Sequence, residues 1–186
     1  MSKPCTNAPG FHAPDRRGEG RHPRDSHGGQ GIKTALYWLA QCSWGLPQTV
    51  LGFLLLLGHR KDRHFFYHGA LVTQWQGKAS VSVGPFVFLT ADPYFADKFA
   101  GQYTREELSA RLLVHEYGHT IQSLALGPLY LVIIGVGSTL WGWLPSLNRM
   151  RREKQISYFA FFTERWANSW GEAVTGQKSM EQLVID

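Results

Sequence analysis

The sequence of 186 residues predicts an α+β fold, in which apolar, membrane-associated helices accompany a small antiparallel β-hairpin or sheet. Three observations lead to this prediction. A helix start signal stands at Thr104, residues 64–90 are rich in β-branched and aromatic residues, and two long runs, 34–58 and 120–148, contain no charged residue. The length suits one domain with a sizeable core.

The positive charge is confined to clusters. The net charge of +5 comes from an arginine group at 16–24 and from basic stretches at 59–64 and 149–154. None of these clusters lies within a recognisable nucleic-acid-binding module, so no nucleic-acid partner is expected. Basic residues beside apolar runs are typical of membrane-edge anchors. Two cysteines, Cys5 and Cys42, provide neither a disulfide framework nor a cysteine-based metal site.

The chain divides into segments of different character. Residues 1–32 are rich in Gly, Pro, Arg and His, which predicts a disordered basic arm, and residues 179–186 form a polar tail. Residues 33–58 are long and apolar enough for a transmembrane helix, kinked by Pro47 and by polar residues in its middle. A long buried helix of a soluble protein is the alternative interpretation of this segment.

Residues 64–90 predict β-structure. Two arms, 64–75 and 79–90, flank the Gly-containing loop 76–78, which favours a single β-hairpin. Pro85 cannot donate a ladder hydrogen bond, so the second arm is predicted to be an edge strand or to carry a bulge.

A helix follows from about residue 104. Thr104 and Glu107 form a capping box, and the helix should run to about Leu126 because Gly127 and Pro128 follow. Gly118 within this helix costs about 1 kcal/mol relative to Ala. Either a close approach of another backbone or substrate, or ordinary tight packing, accounts for the glycine.

Residues 115–119 of this helix read His-Glu-Tyr-Gly-His, the HExxH pattern. Residues four apart lie on the same helix face, about 6 Å from each other, so His115 and His119 can bind one metal ion. Two imidazoles suit zinc, and Glu116 lies where it can take a proton from zinc-bound water. A catalytic zinc needs three protein ligands, so a third ligand is expected elsewhere.

Glu164 is the best candidate for the third ligand. It lies in a predicted aromatic helix at 156–170, and carboxylates are rarely buried unless they are paired or bound to metal. A salt bridge to Arg165 or Arg111 is the alternative. Asn168, one turn after Glu164, could make a hydrogen bond to a metal ligand, or could be an ordinary polar helix position.

This combination of motifs, over residues 104–171, resembles the gluzincin class of zinc peptidases. Within that class it is most similar to membrane-bound peptidases of the HtpX and CAAX-processing type, whose later helix reads Glu-x-x-Ala-Asp. The resemblance implies a zincin-like domain at 59–178, with Glu116 as general base. It implies three zinc ligands: His115, His119 and Glu164. Asn168 stands where the family has Asp, which puts its contact with a ligand in doubt.

The metal site constrains the path of the second charge-free run. His119 and Glu164 can meet only if the chain returns to the same side, so residues 124–148 are predicted to form a re-entrant or interfacial hairpin. The glycines near 135–137 are the expected break. Proteins of the HtpX type carry a hairpin of membrane helices at this place.

The sequence therefore predicts a zinc-dependent metallopeptidase integral to, or associated with, the cytoplasmic membrane, with a peptide or protein substrate and membrane lipid as partners. The arm at 79–90 could bind an extended peptide by strand addition, and Tyr158 or His68 could donate to the tetrahedral intermediate, although either could be structural. One alternative is a catalytically inactive zincin-like membrane protein that binds a partner or senses a signal. Another is a chance HExxH without metal.

Overall fold

The computed structural model describes residues 27–180 and residue 183. It confirms an α+β fold, and most of the predicted arm at 1–32 and part of the tail at 179–186 lie outside the described residues. The helices are α1 His27–Ser43, α2 Leu46–Gly58, α3 Arg105–Leu126, α4 Gly137–Trp143, α5 Pro145–Lys154 and α6 Phe162–Thr175. The strands are β1 Arg63–Tyr67, β2 Ala70–Trp75, β3 Val81–Val83 and β4 Phe86–Thr90. Short helical segments are Ala96–Phe99, Gly127–Leu129, Leu131–Val136 (a π-helix) and Tyr158–Ala160.

The sheet is mixed, with the order β1-β2-β4-β3. Each predicted arm folds on itself as a hairpin, and β2 and β4 then pair in parallel, so the prediction of one antiparallel hairpin with a loop at 76–78 was wrong. Each arm folds back because it contains a tight turn with residues of positive φ. His68 and Gly69 have φ of 46° and 91°, and Gly84 has φ of 63°.

Pro85 lies in the turn between β3 and β4, where no ladder donor is needed. The second arm therefore contains an edge strand, β3, and a central strand, β4, all of whose residues are buried. The edge strand predicted from Pro85 is thus β3 alone. The apolar core lies where α3 packs on the sheet.

The first charge-free run forms two helices. α1 and α2 meet at an angle of 100° across residues 44–45, so the bend predicted for this run exists. It falls at Gly45 rather than at Pro47, because Pro47 occupies the first turn of α2, where its missing N–H is tolerated. None of the helices within 27–180 is by itself long and apolar enough to cross a membrane, and two bent helix pairs meet that criterion on length and composition.

Polar side chains of α1 and α2 dock both helices on α3. Gln41 donates through Nε2 to the carbonyl of Thr120 at 3.1 Å, and Gln48 donates to Ser123 Oγ at 3.0 Å. Thr49 Oγ1 donates to the carbonyl of Gln41 at 2.6 Å, which ties α2 to α1. Gln41, Gln48 and Thr49, which interrupt the apolar run, are therefore buried contacts between helices.

The second charge-free run folds back, as predicted from the candidate metal site. The bend lies at residues 127–130: Gly127 has φ of 53° and is followed by Pro128, and the helical segments 105–129 and 131–143 differ in direction by 114°. The predicted break at 135–137 was wrong, because the π-helix continues directly into α4 there. The helix predicted at 156–170 also differs: it begins at Phe162 and ends at Thr175.

α3 and α6 approach closely at two glycines. A Cβ at Gly118 would lie 1.8 Å from the carbonyl oxygen of Ala167, and a Cβ at Gly171 would lie 2.2 Å from that of Val114. Close backbone approach therefore explains Gly118. Gly171 serves the same contact from the other helix, so it does not end α6. The capping box of Thr104 and Glu107 begins α3 as predicted.

We expect Gly118→Ala to separate α3 from α6. A backbone carbonyl cannot yield to a Cβ, so the free energy of unfolding should fall by about 1–3 kcal/mol or more. Chemical denaturation of the purified protein measures this change. Gly135→Ala is the matched control, because no atom lies within 4 Å of the added Cβ and the change leaves stability unchanged or higher. Equal losses in both variants would contradict the role of the close contact.

Candidate metal centre

Three predicted ligands come together in the structure. His115 and His119 lie one turn apart on α3, and Glu164 lies in the first turn of α6. All three are buried. Glu164 Oε2 is 3.2 Å from His115 Nε2 and 3.4 Å from His119 Nε2. This group could hold a metal ion.

The spacing of these atoms fits tetrahedral coordination. Ligand atoms bound at about 2.0–2.1 Å to a tetrahedral zinc lie about 3.3 Å from each other. The two distances from Glu164 Oε2 bracket that value, and the ligand atoms of the three residues all lie within 4.8 Å of one another. All three residues line the adjoining cleft.

Both imidazoles are oriented through their other nitrogen. His115 Nδ1 lies 2.8 Å from Asn168 Oδ1, and His119 Nδ1 lies 2.7 Å from Gln122 Oε1. Because an amide oxygen only accepts, each Nδ1 carries a proton, so Nε2 is the atom of each neutral imidazole that can bind a metal. Asn168 therefore contacts His115, one of the predicted ligands.

Gln122 was missed from the sequence, although its position three residues after His119 on a helix was the available signal. Its Nε2 donates to the carbonyl of Thr163 at 2.7 Å, which fixes the amide. The Nδ2 atom of Asn168 is buried and makes no hydrogen bond to the described residues.

Glu164 has no partner among the arginines considered for it. Arg111 donates to the carbonyl of Ser179 at 3.0 Å and lies over the Tyr103 ring, while Arg165 is exposed. The second carboxylate oxygen of Glu164 accepts from Thr163 Oγ1 at 3.1 Å. The carboxylate is therefore directed at the two histidines.

Electrostatics at this point favour positive charge. Burial lowers the pKa of His119, but Glu164 and then Glu116 and Gln122 raise it, to about 9. Burial raises the pKa of Glu164, but His119 and then His115 hold it well below its usual range. A buried carboxylate needs a cation beside it, and a metal ion would meet that need.

Glu116 faces the same cleft. Ser82 Oγ donates to Glu116 Oε2 at 2.7 Å and contacts the Glu116 carbonyl oxygen at 2.9 Å. Ser82 belongs to the edge strand β3, so the strand and the carboxylate are directly connected. The cleft has a volume of about 570 Å³, and residues 78–82 form part of its wall.

The structure distinguishes between Tyr158 and His68, the two candidate donors to the tetrahedral intermediate. Tyr158 lines the cleft and interacts with Glu164, and burial and then this carboxylate raise its pKa well above the usual value. His68 lies in the turn between β1 and β2, where its ring contacts Tyr67 and Tyr117. The structure thus brings Tyr158 to the metal position and leaves His68 away from it.

Comparison with known proteins finds no match. No protein-family model, no curated protein and no solved structure matches the chain. The similarity to gluzincins therefore rests on the residues of the site alone, and it stays a prediction.

We expect Gln122→Leu to weaken zinc binding about 10–100-fold, because His119 loses the acceptor that orients its ring. Titration of the apoprotein with Zn2+ against a competing chelator measures this. Gln102→Leu, at an exposed position, is the control and should bind zinc like the wild type. Thermal unfolding of the apo variants separates disturbed packing from lost orientation, and an unchanged zinc affinity in Gln122→Leu would contradict the role of this amide.

Proposed function

We propose that the protein is a membrane-associated, zinc-dependent metallopeptidase. One observation carries the proposal: three donor atoms converge on one point in a cleft that also contains the carboxylate of Glu116. Two imidazoles and one carboxylate are the ligand set of many catalytic zinc sites. The two charge-free runs support the membrane association.

His115, His119 and Glu164 would hold the zinc. Bound there, zinc would supply a Lewis acid that activates a water molecule and polarises the scissile carbonyl. The three ligands keep one face of the site directed to the cleft, where a substrate has access. Asn168 and Gln122 keep the histidines in the required tautomer.

Glu116 is the proposed general base. Its position next to the ligand His115 on α3 places a carboxylate beside the metal position, and its charge is close enough to raise the pKa of His119. Glu116 would accept a proton at its carboxylate and deliver it to the leaving amine. Ser82 holds Oε2 in place for both transfers.

The cleft suits an extended peptide. The edge strand β3 forms one wall, and the helical segment from Ile134 to Trp143 contributes to another. A peptide could pair with the residues preceding Ser82, since the carbonyl of Ser82 already accepts from the Tyr130 hydroxyl at 2.7 Å. The hydroxyl of Tyr158 could donate to the developing oxyanion.

Metal analysis tests the site itself. We expect about one zinc per chain in detergent-purified protein and far less in His115→Ala, because two ligands bind zinc much more weakly than three. His64→Ala is the matched control, since this exposed histidine lies on β1. The opposite result would be a zinc content far below one per chain that is the same in His115→Ala. The HExxH pattern would then be a chance occurrence.

Turnover tests the peptidase activity. We expect Glu116→Gln to lower the cleavage rate of an unstructured protein such as casein by about 10²–10⁴-fold and to leave the zinc content unchanged. Glu106→Gln, on the exposed start of the same helix, should cleave like the wild type. If the protein binds zinc but shows no cleavage that Glu116→Gln reduces, the result would support the inactive binding or sensing protein instead.

A further inference from the structure

On α2, the polar residues are buried and the apolar residues are exposed, which is the reverse of a surface helix in a soluble protein. Its buried residues are Gln48, Thr49 and Gly52. Its exposed side is a stripe of large apolar side chains, Leu46, Val50, Phe53, Leu54 and Leu57. A surface helix of a soluble protein turns its apolar stripe to the core and its polar residues to water. An exposed stripe of this size indicates a partner that is itself apolar.

Two further helical segments repeat the pattern. On α1 the exposed apolar residues are Ile32, Leu36 and Leu39, while Gln41 is fully buried. On the stretch that follows α3 and continues through α4, the exposed apolar residues are Leu129, Val132, Val136, Leu140 and Trp143. On α1 and α2, the spacing of three to four residues places each set on one side of its helix.

The stripes belong to neighbouring elements. Gln48 of α2 donates to the carbonyl of Gly127 at 2.9 Å, and Trp44 packs so closely on Gly127 that a Cβ there would lie 2.2 Å from its ring. The turn at 127–129 therefore joins α2 to the segment leading into α4. We call the three stripes together the apolar face.

Basic residues follow the apolar face in both places where the chain leaves it. Arg60 and Lys61 are exposed directly after α2, and Arg149 and Arg152 are exposed on α5, shortly after Trp143. Positive charge beside an apolar surface is complementary to a bilayer with anionic headgroups. It is unfavourable for a symmetric pair of copies, in which the same cations would come together.

Tryptophans also lie at the ends of the stripes. Trp44 is 56% exposed at the break between α1 and α2, and Trp143 is 83% exposed at the end of α4. Tryptophan is enriched at the level of lipid headgroups, where its ring is apolar and its N–H finds polar partners. The distribution of aromatic and basic residues thus matches that of proteins at a lipid–water interface.

We infer that the apolar face is a lipid-binding surface that inserts into a bilayer containing anionic lipid, with Arg60, Lys61, Arg149 and Arg152 at the headgroups. The inference rests on the membrane association in the proposed function and is independent of the zinc chemistry. The segment from Ile134 to Trp143 contributes to the cleft and to the apolar face, so the cleft lies close to the bilayer surface.

Vesicle flotation tests the inference. Full-length protein freed of detergent is mixed with vesicles of phosphatidylcholine, alone or with phosphatidylglycerol, and floated in a density gradient. We expect Phe53→Asp to weaken vesicle binding about tenfold or more, since a charge replaces a side chain that enters lipid. Phe66→Asp is the matched control, because Phe66 is equally apolar and 68% exposed but lies on β1, outside the three stripes. Its vesicle binding should equal that of the wild type.

The charge component is tested separately. The double change Arg60→Glu and Lys61→Glu should weaken binding to vesicles with phosphatidylglycerol and have little effect on phosphatidylcholine alone. Lys178→Glu, an exposed cation after α6, is the control. Thermal unfolding and zinc content of each variant, measured without vesicles, separate a failure of lipid binding from a failure of folding or of the metal site.

Two results would overturn the inference. One is wild-type flotation of Phe53→Asp with an unchanged melting temperature. The other is a wild-type dimer in analytical ultracentrifugation that Phe53→Asp converts to a monomer without any effect on vesicle binding. The second result would assign the apolar face to a second copy of the chain.

Discussion

The close approach of α3 and α6 is the constraint on which the metal centre depends. Glu164 reaches His115 and His119 because the backbones of the two helices touch at Gly118 and at Gly171. A Cβ at either glycine would meet a carbonyl oxygen, which cannot rotate away as a side chain can. The helix propensity lost at Gly118 is thus offset by the contact that positions Glu164 beside the two histidines.

The same contact places the hydrogen bonds around the ligands. Thr163, just before Glu164, donates to its carboxylate through Oγ1, and the carbonyl of Thr163 accepts from Gln122. Ser138 of α4 is 2.9 Å from Thr163 Oγ1. One residue therefore connects the carboxylate ligand, the amide that orients His119 and the helix that contributes to the cleft.

Local signals in the sequence predicted most of the site. The capping box at Thr104, the four-residue spacing of the histidines and a carboxylate among aromatic residues depend on neighbouring positions, and each was found where expected. Strand pairing was not predictable in this way. The tight turn at His68 and Gly69 splits the first arm, and the parallel pairing of β2 with β4 joins residues distant in sequence. Gln122 lies only three residues after His119, but the contact that fixes its amide, with the carbonyl of Thr163, is 41 residues away and has no local signal.

Hydropathy alone could not predict how the two apolar runs fold. Gln41 and Gln48 looked like interruptions of a span, but they are the residues that α1 and α2 bury against α3. Hydropathy counts a polar residue as unfavourable in an apolar segment, whereas a buried amide is stabilised by hydrogen bonds such as those that Gln41 makes with Thr120 and Ser123. Because α1 and α2 bury these polar residues against α3, their apolar residues are left on the exposed side. The interior of this protein therefore determines the composition of its apolar face, and the segment leading into α4 has that face on one side and the cleft on the other.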